Sequence, residues 1–308
     1  MKDYYILYHL VEELKFLRGW VFFECFTQER NSLFLQFTDG KDISTIQFSA
    51  ETGLESLFLR GTFHKARSNF KNLFSELLGE RCINVYIPEN ERIVVFVLNS
   101  FELWFVLFGG SKTNVFVLDK EKNIVDSFLR PKQYIGKKIQ DVIEQKTTQN
   151  IETVADYLQK TKHFSKEISK HISHVLDLDC KIKLSELTVN QKETLESKCN
   201  EITKLLTNSK TFYVYFLNDK YFIAPFKIPE LECLNTMASV SQALYYCFGR
   251  TLKYNFSKEK FKQVAKELKS KQEHLSKELE GVQKSLDFEQ RIKQYEEYAR
   301  LLLSQPNV

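Results

Sequence analysis

Leu7, Leu10, Val11 and Leu14 recur at steps of three and four through residues 3–17, which predicts an amphipathic helix. Arg18-Gly19 closes it, because glycine accepts the left-handed conformation of a helix end. The period then falls to two. Residues 20–26 are aromatic and apolar, and 33–38 alternate Leu33, Leu35 and Phe37 against Gln36 and Thr38. Asp39-Gly40 is a hairpin turn leading to a strand at 43–49. Helical spacing returns over 64–78, with Phe70, Leu73, Phe74, Leu77 and Leu78 on one face and Gly79 as the stop. A second meander predicts strands at 83–87, 92–98, 102–108, 114–118 and 124–128, evenly spaced as in a sandwich or curled sheet.

From about 150 to 208 the chain is polar and helical. Strand pattern returns at 211–217 and 221–226 and is expected to rejoin the first sheet; a helix follows at 236–249. From Ser257 onward, Val264, Leu268, Gln272, Leu275, Leu279, Val282 and Leu286 form a coiled-coil seam. The register slips after Leu286 and resumes at Ile292, Tyr295, Ala299 and Leu302, which suggests a kink or helical hairpin near 281–288. Residues 305–308 read as a loop.

Composition narrows the function classes only a little. The 308 residues are 43% hydrophobic with 10 Gly and 5 Pro, a folded chain long enough for two or three domains. The formal net charge is +4, which permits nucleic-acid binding only where the bases cluster. None of the six cysteines forms a C-x-x-C pair, so they read as reduced thiols of a cytoplasmic protein rather than as a zinc cage. The start carries Asp3, Glu12 and Glu13 and lacks the form of a signal peptide. No nucleophile–base set, metal site or cofactor motif emerges. Gly109-Gly110-Ser111-Lys112 has the wrong spacing for a phosphate loop and reads as a hairpin turn.

Two groups carry candidate chemistry. Arg60, His64, Lys65, Arg67 and Lys71 form the densest basic cluster of the first domain, interleaved with Phe58, Phe63 and Phe70; phosphate-binding cations beside stacking rings suit RNA. The same spacing equally describes a helix with its rings inward and its bases in water. His163, His171 and His174, among Lys160, Lys162, Lys166 and Lys170, read as a solvated helix face.

The order of these motifs resembles the NFACT family, also known as fibronectin-binding protein A. The resemblance lies in Leu10-Val11-Glu12-Glu13-Leu14 with Gly19, Leu33 to Phe37, Leu107 to Asp119, Ile124 to Phe128, Phe164 to Ile168 and Val240 to Tyr246. It implies an α+β fold: a formamidopyrimidine-DNA-glycosylase-like β-sandwich, a helix-hairpin-helix-like insert and a coiled coil. The corresponding divisions are 1–148, 149–208, 209–256 and 257–308. It also implies a non-enzymatic factor that binds tRNA and the RNA of an obstructed large ribosomal subunit and supports C-terminal tailing of the stalled chain. The family's older name adds fibronectin or fibrinogen as partners. An Asp-Arg pair tied to tRNA binding in the family is matched here by Glu91-Arg92, which serve equally as ordinary turn and strand residues. The glycosylases' N-terminal Pro-Glu is replaced by Met1-Lys2-Asp3. The expected RNA-binding residues are therefore Arg60, Lys65, Arg67, Lys71, Glu91 and Arg92.

Overall fold

The computed structural model describes residues 3–61, 63–89, 91–143 and 151–304; the predicted division between 148 and 149 and the predicted loop at 305–308 lie outside them. The chain forms two compact units, Met1–Thr251 and Leu252–Val308.

Helix α1 (Tyr4–Leu14) opens the first unit. Strands β1 (Val21–Glu29), β2 (Ser32–Thr38), β3 (Ile43–Ser49), β4 (Ser56–Arg60) and β5 (Lys71–Asn72) form one antiparallel sheet in the order β4-β3-β2-β1-β5. Strands β6 (Cys82–Tyr86), β7 (Ile93–Leu98), β8 (Glu102–Val106), β9 (Asn114–Leu118) and β10 (Ile124–Ser127) form a second, a meander in the order β10-β9-β8-β7-β6. This meander follows the sequence expectation closely. The Gly109-Gly110 turn joins β8 to β9 with φ of 98° and 58°, a backbone that glycine adopts without steric cost. Short helices α2 (Pro131–Tyr134) and α3 (Ile139–Ile143) follow β10.

The two sheets pack through aromatic rings. Phe37 stacks on Phe96 with centroids 5.6 Å apart, and Phe48 meets Phe105 at 5.8 Å. Leu7, Leu10 and Leu14 of α1 join the same core. Removing one such buried ring costs about 3–5 kcal/mol, transfer and cavity together.

The helical insert contains α4 (Val154–Asp156), α5 (Lys166–Val175) and α6 (Val189–Asn208). Each begins on a side-chain cap that satisfies an otherwise orphaned N–H: Thr153 and Thr188 close capping boxes with Asp156 and Gln191, and Ser165 caps α5. The insert has its own core, including Phe164, Ile172, Leu195 and Ile202, into which Tyr5 of α1 projects. The Tyr5 hydroxyl donates to the Lys162 carbonyl at 3.1 Å. His9 makes the second tie, its Nε2 lying 2.5 Å from the Leu206 carbonyl near the end of α6. A carbonyl only accepts, so Nε2 carries the proton.

The return strands differ from expectation. They do not rejoin the first sheet. Strands β11 (Phe212–Leu217), β12 (Lys220–Ala224) and β13 (Cys233–Met237) form a third sheet, with β11 in the centre. Its Phe212, Val214 and Ile223 reach the main core, while Tyr215, Ala224 and Ile228 bury against one another. Helix α7 (Val240–Ser304) therefore starts later than 236, after the last strand. Its first turn is held by Ser239, whose Oγ accepts from the Gln242 N–H at 3.2 Å, and by Glu13, which accepts from the Ser241 N–H at 3.1 Å. Both place oxygen acceptors at the positive end of the helix.

Helix α7 is continuous through the predicted kink. Gly281 weakens a helix by only about 1 kcal/mol and no proline stands between 240 and 304 to break it. At 3.6 residues per turn, the stripe Phe288, Ile292, Tyr295, Ala299 and Leu302 then lies about 150° around the helix from the stripe Phe261 to Leu286. The register slip is a change of face. Residues 255–304 are all exposed.

Burial holds the His9 imidazole below its ordinary value of 6.5. The unfolded chain therefore binds the proton first, so His9 favours the fold above about 6.5 and loses that contribution as pH falls towards its folded value. We expect acidification from neutral to mildly acidic pH to lower the thermal unfolding midpoint, and His9→Gln to reduce that dependence. Parallel calorimetric profiles for the two proteins would contradict it.

Candidate nucleic-acid interface

Because side chains alternate along a strand, the inward set Leu33, Leu35 and Phe37 on β2 leaves Phe34 and Gln36 on the opposite face. The pairing registers carry this outer face across the sheet in two rows. One row is Asn72, Phe26, Phe34, Gln47 and Phe58; the next is Glu24, Gln36, Thr45 and Arg60. Phe26 and Phe34 are fully buried, although they belong to no part of the inter-sheet core.

They are covered by residues 63–70, a strap that runs from the β4 edge to the β5 edge. Phe63 stacks on Phe34 with centroids 4.6 Å apart and planes 22° from parallel, and touches Phe26 at 5.9 Å. Lys65 forms an ion pair with Glu24 and places its ammonium 4.5 Å from the Phe26 centroid and 3.9 Å from that of Phe70. The Ala66 N–H donates to Gln28 Oε1 at 2.9 Å. This is the segment for which helical spacing was expected. Asn69 at φ 62° and Phe74 at φ 56° interrupt any helix, leaving β5 and a single turn at Ser75–Leu77. Leu73, Phe74 and Leu77 pack into the core while Phe63 and Phe70 lie on the outer face. The apolar spacing came from two separate burial events.

Arg60 ends β4 with its guanidinium between two rings, 5.1 Å from the Phe63 centroid and 5.6 Å from that of Tyr245 on α7. Its Nη1 donates to Gln47 Oε1 at 2.5 Å. Two donors beside that bond, Arg60 Nε and Gln47 Nε2, are buried without a hydrogen-bond partner. His64, Arg67 and Lys71 are exposed.

The structure thus brings Arg60 at the end of β4 together with Lys65 and Arg67 on the strap; Lys71 lies on the β5 edge, paired with Thr27 and in the opposite phase to the outer row of Asn72 and Phe26. Glu91 and Arg92 belong elsewhere. They precede β7 of the second sheet, where the Arg92 carbonyl accepts from Leu107 and its guanidinium lies 6.0 Å from the Phe108 centroid. Glu24, Phe26, Phe34, Gln47 and Tyr245 were not expected at a site. The signal available was Phe34, an apolar residue in the polar phase of an alternating strand. The histidine segment also departs from expectation. The His171 side chain is only 9% exposed, packs on Phe226 at 5.7 Å, and bonds Glu230 at 2.9 Å. Desolvation pushes the Glu230 carboxyl up, but its own backbone N–H, the bond from His171 and the charges of His171 and His174 hold it below its usual value of 4.5.

Among the described residues, no acid–base or nucleophilic set accompanies the outer face. Burial raises the Cys82 and Cys199 thiols to about 11 and Cys247 to about 12, which removes them as thiolate nucleophiles near neutral pH. Among the described residues no cluster of His, Cys, Asp and Glu could hold a metal ion. What the face offers is stacking, cations and unused hydrogen-bond donors.

No protein-family model matches this sequence, and comparison with curated proteins gives no match. Solved structures do match. A fibrinogen-binding protein from Staphylococcus aureus superposes with a TM-score of 0.58 over 79% of this chain and 97% of its own, at 14% identity. The N-terminal part of a fibronectin/fibrinogen-binding protein from Streptococcus suis gives 0.54 over 80% and 99%, also at 14% identity. The fold is that of the fibronectin/fibrinogen-binding protein N-terminal region. This fold is α+β, with antiparallel sheets, a helical insert and a long C-terminal helix.

On this fold the Lys65–Glu24 ion pair should matter through its surroundings. Both side chains are 24% exposed, so the pair alone is worth at most about 1 kcal/mol. A double-mutant cycle of Lys65→Met and Glu24→Gln in urea unfolding should give a coupling of about 0.5–1 kcal/mol. Lys65→Ala should cost more than that coupling, because it also uncovers Phe26 and Phe70. A cost no larger than the coupling would refute the role assigned to the aromatic contacts.

Proposed function

We propose that this chain is the N-terminal portion of an NFACT-type, RNA-binding, ribosome-associated quality-control factor. It would bind tRNA on an obstructed large ribosomal subunit and support C-terminal tailing, in the cytoplasm and without a cofactor. The observation that carries this reading is the cation-and-aromatic outer face of the first sheet. Arg60 lies between two rings, Lys65 lies over two more, Arg67 stands exposed on the strap and Lys71 is exposed on the β5 edge. Cations that replace condensed counterions supply affinity, and rings that stack on bases supply sequence-tolerant grip. The motif order and the shared fold support the same reading. Bond formation would belong to the ribosome, and this chain would hold RNA in place. In that reading the body keeps a glycosylase-like shape without glycosylase chemistry, and the insert corresponds to the helix-hairpin-helix-like unit.

The cations act unequally in this account. Arg60 and Lys65 are engaged within the protein, so Arg67, Lys71 and Arg92 would make the first phosphate contacts. Arg92 retains the guanidinium fork suited to phosphate, and Glu91 stands where the family often has Asp.

A second reading is binding to fibronectin or fibrinogen. It is favoured by what the two structural relatives are known to bind. Among the described residues no helix is long and apolar enough to cross a membrane. Capture of this chain by immobilised fibronectin or fibrinogen, together with labelling of intact cells, discriminates the two readings.

For the ribosomal reading, co-sedimentation with large subunits should fall when Arg67 and Arg92 are both reversed to Glu. The plot of log affinity against log salt for tRNA should become shallower by about one unit per lost phosphate contact. Unchanged sedimentation and an unchanged slope would remove these residues from the interface.

A further inference from the structure

The strap occupies its site in an unusual manner. Phe63 lies nearly parallel on Phe34, itself stacked beside Phe26 at 5.6 Å and 18°, so a flat ring sits on an aromatic floor as a nucleobase would. The strap's described anchors are the part-exposed Lys65–Glu24 ion pair, a Lys65 bond to Asn72 at 3.3 Å, ring contacts, and the Ala66 N–H bond to Gln28. Residues 66–70 are exposed on its other side. Next to the floor, Gln47 Nε2 and Arg60 Nε are buried donors lacking acceptors. Gln47 cannot resolve this by turning its amide over, because its Oε1 already accepts from Arg60. Buried donors left unmade are costly, and a ligand rich in acceptor oxygens would relieve them. Protein aromatics cover the floor but bring no such oxygen.

We infer that residues 63–70 are a displaceable cover over a nucleobase-stacking platform, and that the ligand is single-stranded RNA. Phe63 holds the place of a base. When RNA binds, Phe63 leaves Phe34, a base stacks on Phe34 and Phe26, and its carbonyl or phosphate oxygen accepts from Gln47 and Arg60. Lys65 exchanges Glu24 for a phosphate, and Arg67 flanks the strand. A sheet face bearing exposed aromatics is a general solution for single-stranded RNA, since every base presents a flat π surface. The feature particular to this chain is that the protein fills the platform with its own ring. This inference rests on the RNA reading given above and specifies where and how the strand is held.

The test uses the full chain and a short single-stranded RNA carrying a fluorescent adenine analogue, whose emission is quenched by stacking. Phe63→Ala should bind on the order of tenfold more tightly than the unmodified protein and quench more strongly, because one stacking contact no longer competes. Phe34→Leu, which keeps an apolar filler but removes the flat ring, should lose the quenching. In the unmodified protein, hydrogen exchange at the Ala66 amide should speed up when RNA is added, because its bond to Gln28 opens. This second measurement stands even if Phe63→Ala fails to fold. If the protein binds RNA and loses affinity on Arg67→Glu, but Phe63→Ala binds no better and the Ala66 amide is unchanged or slowed, the cover is refuted and RNA binding is retained. If neither protein binds RNA at low salt, both readings fall.

Discussion

The packing of aromatic rings between the two five-stranded sheets is the constraint on which the rest depends. Phe37 and Phe48 on one sheet meet Phe96 and Phe105 on the other, and Phe22 closes edge-on against Phe37 at 5.3 Å. Side chains alternate with a period of two, so this choice of inward residues also assigns every outward one. A slip of one residue in β2 would put Phe34, Gln36 and Thr38 in the core in place of Leu33, Leu35 and Phe37, and the inner set would turn mostly polar. The outer rows are therefore as firmly specified as the core, although no inter-sheet contact holds them directly.

That specification creates a physical problem on the outside. Phe26 and Phe34, and Phe58 beyond Gln47, face away from the sandwich and would expose apolar surface if left in water. Two different covers remove them from solvent. Over Phe58 lie Tyr245 and Phe248 from the start of α7, at 5.8 and 5.4 Å, on a helix anchored at its N-terminus by Glu13 and Ser239. Over Phe26 and Phe34 lies the strap, a short segment that carries its own cations. The first cover is a helix tied into the core cluster. The second is a crossing segment that also leaves two donors unsatisfied at its margin, so the two halves of one sheet face differ in how firmly they are closed.

The strands were legible because alternation and turn residues agree along them. The β6–β10 meander follows its five expected segments to within a residue or two, and Gly109-Gly110 makes the turn it was read to make. The long helix was also legible from its periodicity. What failed had periodicity without local support. Over 64–78 the apolar steps matched a helix, but Ser68-Asn69 are turn formers, and the rings divide between a core and an outer face that only the sheet defines. Cys233–Met237 alternates too briefly to be told from a helix start, and its pairing with β11 is a tertiary fact. At the candidate site the cations were legible as a cluster, whereas Glu24, Gln47 and Tyr245 come from distant positions and meet Arg60 and Lys65 only through sheet register and the docking of α7. Phe34 was in view, but its meaning depended on knowing what lay above it.

The same topology decides whether the six expected residues share one trough. The inner faces of the two sheets pack on each other, so the outer face bearing Arg60 and Lys65 cannot also be an outer face of the sheet that contains β7. Arg92 sits at the rim instead. Its carbonyl bonds Leu107, and the Gly110 N–H bonds Glu55 at 2.9 Å, immediately before β4 begins. From that rim, β4 runs from Ser56 to Arg60, about 13 Å at roughly 3.3 Å per residue. A polynucleotide that touched both arginines would have to pass over the rim and along the β4 edge. Two of the cations are already engaged with protein groups, and Lys71 lies on the β5 edge, across the sheet from that path. Affinity on such a path would come from successive contacts, each modest, and stacking on the sheet would have to supply what charge alone does not.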